Sequence, residues 1–351
     1  MPADEREGRF PTAAVVAWLD DRGVHLAAPV RSELISGGRS NLTYQLTDAE
    51  GRRLIVRRPP FDRVLATAHD MSREWRFISA VQPTPVPVPD PIALSPTPDG
   101  SPMGVPFYVM SYVEGLIFHD AAAASVIEPP VRAASAQSLV DNMALLHQVD
   151  IDAVGLGDIA KREDHMARQL RRWKIQWDQS TSTEITAVDE LHDRLVDRIP
   201  PQQRATIVHG DFRLGNMICA PTTGEILAVL DWELATLGDP LIDFSWMLSS
   251  WAEPTSSTGP NRGSEAPSVL PGFPSRQWMI DRYAAKSGLD LSDLPVYLAF
   301  SAWRGACISA GVLARYESGA MGDDGFDFRG MREGFGIRAE SALELLDSTK
   351  G

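Results

Sequence analysis

The chain has 351 residues, 44% of them apolar and 23% charged, which is enough for a sizeable core and for two lobes. A net charge of −14 speaks against a nucleic-acid partner. The charged N-terminus, the short apolar runs and the two lone cysteines (Cys219 and Cys307) speak against a secretory signal, a membrane span and a disulfide framework. The expectation is therefore a cytoplasmic protein without nucleic-acid or membrane partners, and the sequence specifies no oligomeric state.

Taken in order, residues 12–22 carry Val15, Val16, Trp18 and Leu19 on a helical stripe that stops at Gly23. A strand then runs into Ser36-Gly37-Gly38-Arg39-Ser40-Asn41 and a second strand over 42–46. The glycine and serine loop reads either as an ordinary hairpin turn or as a cover whose backbone N–H groups face phosphates. A third strand, 53–57, ends in Arg57-Arg58, and Pro59-Pro60 stops it. The four lysines all lie from Lys161 onward, so Arg57 or Arg58 is the candidate cation for nucleotide phosphates.

Residues 69–81 read as a helix with Met71, Trp75 and Ile78 inward. On it, Glu74 is either the partner of the strand cation or a solvated side chain paired with Arg73 or Arg76. The proline-rich stretch 82–91 is an extended connector, and 106–115 is a buried strand running into a turn. From residue 133 onward the pattern is helical, over 133–149, 162–178, 184–198, 275–287, 294–316 and 331–346. Segments 252–274 and 320–329 read as loops, and His147 reads as a packed helix residue.

The most informative stretch is Ile-Val-His-Gly-Asp-Phe-Arg-Leu-Gly-Asn over 207–216, followed by Val-Leu-Asp-Trp-Glu over 229–233. Asn216 lies five residues after Asp211, and Asp231 ends a second apolar strand twenty residues after it. Phosphoryl transfer needs one carboxylate for the acceptor hydroxyl, and an amide oxygen with a second carboxylate for Mg²⁺. Asp-x-x-x-x-Asn is the spacing of a kinase catalytic loop.

These motifs, with Met110-Ser111-Tyr112-Val113-Glu114-Gly115, resemble the aminoglycoside phosphotransferase and choline-kinase branch of the protein-kinase-like superfamily. Residues 36–41, 56–60, 238–240 and 311–316 look closest to the subfamily also found fused to acyl-CoA dehydrogenases. The resemblance implies an α+β, two-lobed fold. It has a small antiparallel-sheet lobe with one main helix over 1–110, a hinge over 111–115 and a helical lobe over 116–351.

It also implies ATP and Mg²⁺, with Asp211 as base, Arg213 as a cation on the transferring phosphoryl group, and Asn216 and Asp231 as metal ligands. Gly37, Gly38, Ser40, Asn41, Arg57, Glu74, Ser111 and Val113 would hold the nucleotide, with Ser111 and Val113 pairing to adenine. Asp243 would brace the catalytic loop and Asp239 would form a turn. The expected activity is transfer of a γ-phosphoryl group to a small-molecule hydroxyl, on a hydroxyacyl or hydroxyacyl-CoA acceptor. An aminoglycoside acceptor and a nucleotide-binding pseudokinase are the alternatives. A coenzyme-A acceptor would want a basic patch, for which Arg304, Arg315, Arg329 and Arg332 are candidates.

Overall fold

The structure is a computed structural model that describes residues 10–37, 41–59, 70–181, 185–253, 266–318 and 328–348. Strand alternation divides the first part of the chain into two faces, because successive side chains of a strand point to opposite sides. Strands β1 (Arg31–Gly37), β2 (Leu42–Thr47), β3 (Arg53–Arg58), β4 (Pro91–Ser95) and β5 (Phe107–Ser111) form one antiparallel sheet in the order β1-β2-β3-β5-β4. Leu54 and Val56 of β3, with Phe107 and Val109 of β5, pack on helix α1 (Thr12–Asp20) through Val15, Trp18 and Leu19. Ile55, Tyr108 and Met110 point the other way, into a core shared with helix α2 (Met71–Val81) and the second lobe.

Two helices thus flank the sheet, where the apolar stripes of 12–22 and 69–81 put them. Strand β4 is an edge strand that the proline-rich sequence around it does not announce. Helix α2 begins at Met71, with Asp70 accepting the Arg73 N–H at 3.0 Å as its N-cap. The two residues by which the sequence places its start earlier include His69, outside the described residues.

After β5 the chain enters the helical lobe by pairing Leu116 with Cys219, through N–H···O bonds of 2.9 and 2.8 Å. Gly115 is needed there, since a Cβ would lie 2.5 Å from Ile218 Cγ2. Helices α3 (Ala121–Ser125) and α4 (Pro129–Leu146) follow, then α5 (His165–Ser180) and α6 (Thr186–Val196). Helix α4 starts earlier than the apolar pattern suggests because Pro129 and Pro130 sit in its first turn, where no intrahelical N–H is required.

Short strands β6 (Thr206–Val208), β7 (Met217–Cys219), β8 (Ile226–Val229) and β9 (Thr236–Gly238) carry the loops between the lobes. Helices α7 (Pro240–Ser250), α8 (Arg276–Ser287), α9 (Leu294–Glu317) and α10 (Phe328–Ser348) complete the lobe. At 24 residues α9 is long and apolar enough to cross a membrane. Its Phe300, Trp303, Ala306 and Ala310 are nevertheless buried in the core of this lobe, the pattern of a central packing helix.

Candidate active site

Two antiparallel pairs bring the polar residues of 209–233 together. Strand β6 pairs with β9, with Val208 opposite Thr236, and so delivers His209-Gly210-Asp211 at one strand end. Strand β7 pairs with β8, with Met217 opposite Val229, so Asn216 and Asp231 leave neighbouring ends of one hairpin. The Leu230 N–H donates to the Asn216 carbonyl at 2.9 Å and locks that end.

Asp211 is held at both carboxylate oxygens. The Trp246 indole N–H donates to Oδ1 at 3.1 Å, while Arg213 Nε at 3.1 Å and Asn216 Nδ2 at 2.8 Å donate to Oδ2. Burial alone would raise its pKa, but the Arg213 guanidinium and the Trp246 N–H bring it below the ordinary carboxylate value. Asn216 Nδ2 also donates to the Asp211 carbonyl at 2.8 Å, so its amide nitrogen faces Asp211 and Oδ1 faces away. Arg213 folds over Gly215, where a Cβ would come within 2.5 Å of its Nη1.

The loop that carries Asp211 is braced from beneath. Asp243 is fully buried; its Oδ2 accepts the His209 N–H at 2.7 Å and its Oδ1 accepts the Gly210 N–H at 2.9 Å. His147 is a packed residue, as expected, yet its Nε2 lies 3.4 Å from Asp243 and its Nδ1 lies 2.6 Å from the Tyr283 hydroxyl. Gly210 has φ +87°, and a Cβ there would sit 2.9 Å from Leu234 Cβ and from its carbonyl oxygen. Only glycine fits that left-handed, crowded position. Asp239 caps α7 through the Leu241 N–H at 3.0 Å and accepts the Tyr297 hydroxyl at 2.7 Å.

On the sheet side, Arg57 and Arg58 separate by strand alternation. Arg58 is buried on the α1 face, donating to Tyr44 Oη at 3.1 Å and to the Pro59 carbonyl at 3.0 Å. Arg57 faces α2 and the loops, with Nε 3.1 Å from Glu74 and Nη2 2.5 Å from Asp231 and 3.7 Å from Glu233. Glu74 is free for this because Arg73 donates to the carbonyls of Ile159 and Ala235, and Arg76 pairs with Asp158. Burial raises the Glu74 pKa, an effect only partly offset by Arg57 and the Tyr108 hydroxyl. Asn41 ties the group together, donating to Glu74 at 2.8 Å and to Glu233 at 3.3 Å.

Arg57, Asn216 and Asp231 line one cavity of about 280 Å³ with Ile35, Tyr108 and Met110. Neither Ser111 nor Val113 lines it. The Ser111 N–H donates to the Asp90 carbonyl at 2.9 Å and its hydroxyl accepts the Asp90 N–H at 2.8 Å, so that amide is not open to a base. Gly37 ends β1 opposite Leu42, while Gly38 and Ser40 lie outside the described residues.

The donor set fits a divalent cation. The oxygen donors are the Asn216 amide, turned away from Asp211, and the Asp231 carboxylate, while Glu74 and Glu233 lie against the Arg57 guanidinium. Asp231 has φ +65°, and Trp232 fixes it there by donating to the Val229 carbonyl at 3.1 Å and stacking on Phe77.

Arg304 overturns its sequence reading. It is 8% exposed, so it contributes to no surface patch. It donates to the Gly210 carbonyl at 3.2 Å and lies 4.3 Å from the Trp246 ring centre. Burial lowers its pKa to about 10, against the attraction of Asp243 and Asp211. Arg332 pairs with Glu317, and Arg315 donates to the Gly311 carbonyl at 3.2 Å, so neither forms a patch with Arg304. The Arg329 side chain lies outside the description. An arginine within the apolar run Phe300–Ile308 is itself a sign of burial, and that signal was available.

The phosphotransferase enzyme family APH matches residues 31–277. The chain belongs to the APH phosphotransferase family. Acyl-CoA dehydrogenase family member 10 of Mus musculus is 36% identical over 299 residues, 85% of this chain and 28% of the mouse protein. Family member 11 of Gallus gallus is 34% identical over 316 residues, 88% of this chain and 40% of that protein. The APH chain therefore spans less than half the length of these curated relatives.

A crystal structure from Ralstonia eutropha, assigned provisionally as an aminoglycoside phosphotransferase, has 32% identity and TM-score 0.82, covering 98% of this chain and 100% of that one. Choline kinase from Cryptosporidium parvum, at 13% identity and TM-score 0.61, covers 96% of each chain and shares the two-lobed kinase-like fold. So does amicoumacin kinase in complex with AMP-PNP, Ca²⁺ and Ami, at 16% identity and TM-score 0.60, over 97% of this chain and 95% of that one.

Proposed function

We propose that this APH-family chain is a small-molecule kinase that moves the γ-phosphoryl group of ATP to an acceptor hydroxyl, with an acyl-chain alcohol as acceptor. The observation that carries the reading is the setting of Asp211. It is hydrogen-bonded on one side to Asn216, which lines the Arg57 cavity, and on the other to Trp246, which lines a second cavity in the helical lobe. A lowered pKa keeps the carboxylate ionised at neutral pH, able to orient a hydroxyl and receive its proton.

In this reading the acceptor O–H bond breaks as the new O–P bond forms. The bond from the γ-phosphorus to the bridging oxygen of ADP breaks, and the proton goes to Asp211. Arg57, held by Glu74, meets the phosphates of the nucleotide. Arg213 keeps its Nη groups for charge on the transferring group while Nε orients Asp211. A bound Mg²⁺ would be held by Asn216 Oδ1 and Asp231 and would supply charge neutralisation on the phosphates. The neighbour bound to AMP-PNP and Ca²⁺ supports an adenine nucleotide with a divalent cation, and the names of the curated relatives support an acyl-type acceptor.

The test is ATP consumption and product mass with a panel of 3- and 4-hydroxyacyl-CoAs, the free hydroxy acids, and kanamycin. Phosphorylation of a hydroxyacyl compound supports the proposal. Phosphorylation of kanamycin alone overturns the acceptor class, and Mg-ATP binding without transfer to any member overturns the enzyme reading in favour of a nucleotide-binding module.

A further inference from the structure

The second cavity, of about 200 Å³, lies between facing stripes of α9 and α10, with Trp246 and Arg276 at its side. Residues 298, 302 and 305 of α9 and 338, 342 and 345 of α10 recur at helical spacing toward it. Its wall is mainly apolar, from Trp246, Leu298, Ala342 and Leu345, and no aspartate or glutamate among the described residues lines it. Gly305 borders open space, since a Cβ there would meet nothing within 4 Å. A cavity of ~150 Å³ holds benzene, so this one has room for about eight non-hydrogen atoms.

The polar groups of the lining are nearly all used. Ser249 and Ser341 donate to the carbonyls of Trp246 and Ile337, and Ser301 bonds Ser245 at 2.8 Å. Arg276 uses Nε on the Trp251 carbonyl at 2.8 Å and has Glu253 beside its backbone N–H at 3.0 Å. Arg338 is half-buried and has no hydrogen-bond or ion-pair partner among the described residues. Burial lowers the pKa of both guanidiniums. A guanidinium set into an apolar wall without a carboxylate is a donor fork awaiting an anion.

We infer that this cavity is the acceptor site and that Arg338, with Arg276 beside it, reads an anionic group on an otherwise apolar acceptor, and not a polycation. The inference rests on the kinase reading for the word acceptor, because Trp246 joins the cavity to Asp211. The anion-binding part stands without it. The anion has two possible sources, the carboxylate of a free hydroxy acid or the phosphates of a coenzyme-A thioester.

Hexanoate is the probe for binding, because it carries no hydroxyl and its binding is independent of phosphoryl transfer. Ligand-observed NMR on the full chain is expected to detect hexanoate and to find hexylamine and 1-hexanol bound at least tenfold more weakly. Arg338→Gln should weaken hexanoate about 10- to 100-fold, the usual effect of removing a charge-assisted bond, and Arg338→Lys should restore part of it. Gly305→Leu, which fills the cavity while improving helix propensity, should abolish hexanoate binding and leave Mg-ATP binding intact. Hexylamine binding as tightly as hexanoate, or hexanoate binding indifferent to both Arg338→Gln and Gly305→Leu, overturns the inference.

The source of the anion follows from turnover of 4-hydroxyhexanoate, its methyl ester and its coenzyme-A thioester. A preference for the acid or for the thioester over the ester, reduced in Arg338→Gln, supports the site and names its ligand. An ester used as well as both refutes it. Arg338-dependent hexanoate binding with no transfer to any of the three would retain the anion site and reject the acceptor reading.

Discussion

Replacing Asp243 by Asn tests how the catalytic loop is held. Each Asp243 oxygen accepts one backbone N–H, from His209 at 2.7 Å and Gly210 at 2.9 Å, and the side chain is fully buried. Asparagine keeps one acceptor and turns an NH₂ group toward the other backbone donor. One charge-assisted bond of about 1.5–3 kcal/mol is lost and a buried N–H is left facing a donor, so the expected cost is about 2–4 kcal/mol. That is a large part of the ~5–15 kcal/mol by which a folded domain is stable.

The cost should depend on pH. Burial would raise the Asp243 pKa, but the hydrogen bond and charge of His147, with His209, bring it below the ordinary 3.8. A carboxylate depressed by folding stabilises the protein fully above its unfolded pKa and loses that contribution as pH falls through the folded value. The gap between wild type and Asp243→Asn should therefore be full at pH 7 and shrink toward pH 3. Urea denaturation followed by circular dichroism measures it. A gap under about 0.5 kcal/mol at pH 7, or one that widens on acidification, would refute the bracing argument.

Gly210→Ala forces an L side chain into φ +87° against Leu234, at a cost of ~1–2 kcal/mol for the left-handed conformation before any clash is relieved. Steady-state kinetics should show kcat down at least about tenfold (~1.4 kcal/mol) with little change in ATP affinity. Asp231→Ala should remove Mg²⁺-dependent nucleotide binding in isothermal titration, and an unchanged Mg-ATP affinity would contradict the metal role. Arg57→Lys substitutes one ammonium for a fork that reaches Glu74 and Asp231 at once, so KM for ATP should rise about tenfold. Equal KM values in the two proteins would show that the fork geometry is not used.

The parts of the site that were legible in the sequence are those that lie close together along the chain. Asp211, Arg213 and Asn216 sit within six residues, and the hairpin joining Asn216 to Asp231 is short enough for apolar alternation to announce it. The pairing of Arg57 with Glu74 followed from chain order, and strand alternation then chose Arg57 over Arg58. The residues that escaped are joined to the loop only by tertiary packing. Trp246 and Arg304 come from α7 and α9, and neither period nor spacing encodes which group of the catalytic loop a distant helix will meet.

Strand β4 was missed because its five residues are bounded by prolines and pair only along one edge. The engagement of the Ser111 N–H by Asp90 is a contact made across the sheet edge, which a buried strand running into a turn does not announce in sequence.

The central claim is that Asp211 handles the acceptor proton and does not hold the nucleotide. Single-turnover transfer from labelled ATP to the acceptor, measured alongside Mg-ATP affinity, tests it in the Asp211→Asn variant. The account predicts transfer slower by ~10²–10⁴-fold with Mg-ATP affinity nearly unchanged. Transfer at the wild-type rate, or a loss of Mg-ATP affinity large enough to explain the slower rate, would contradict it.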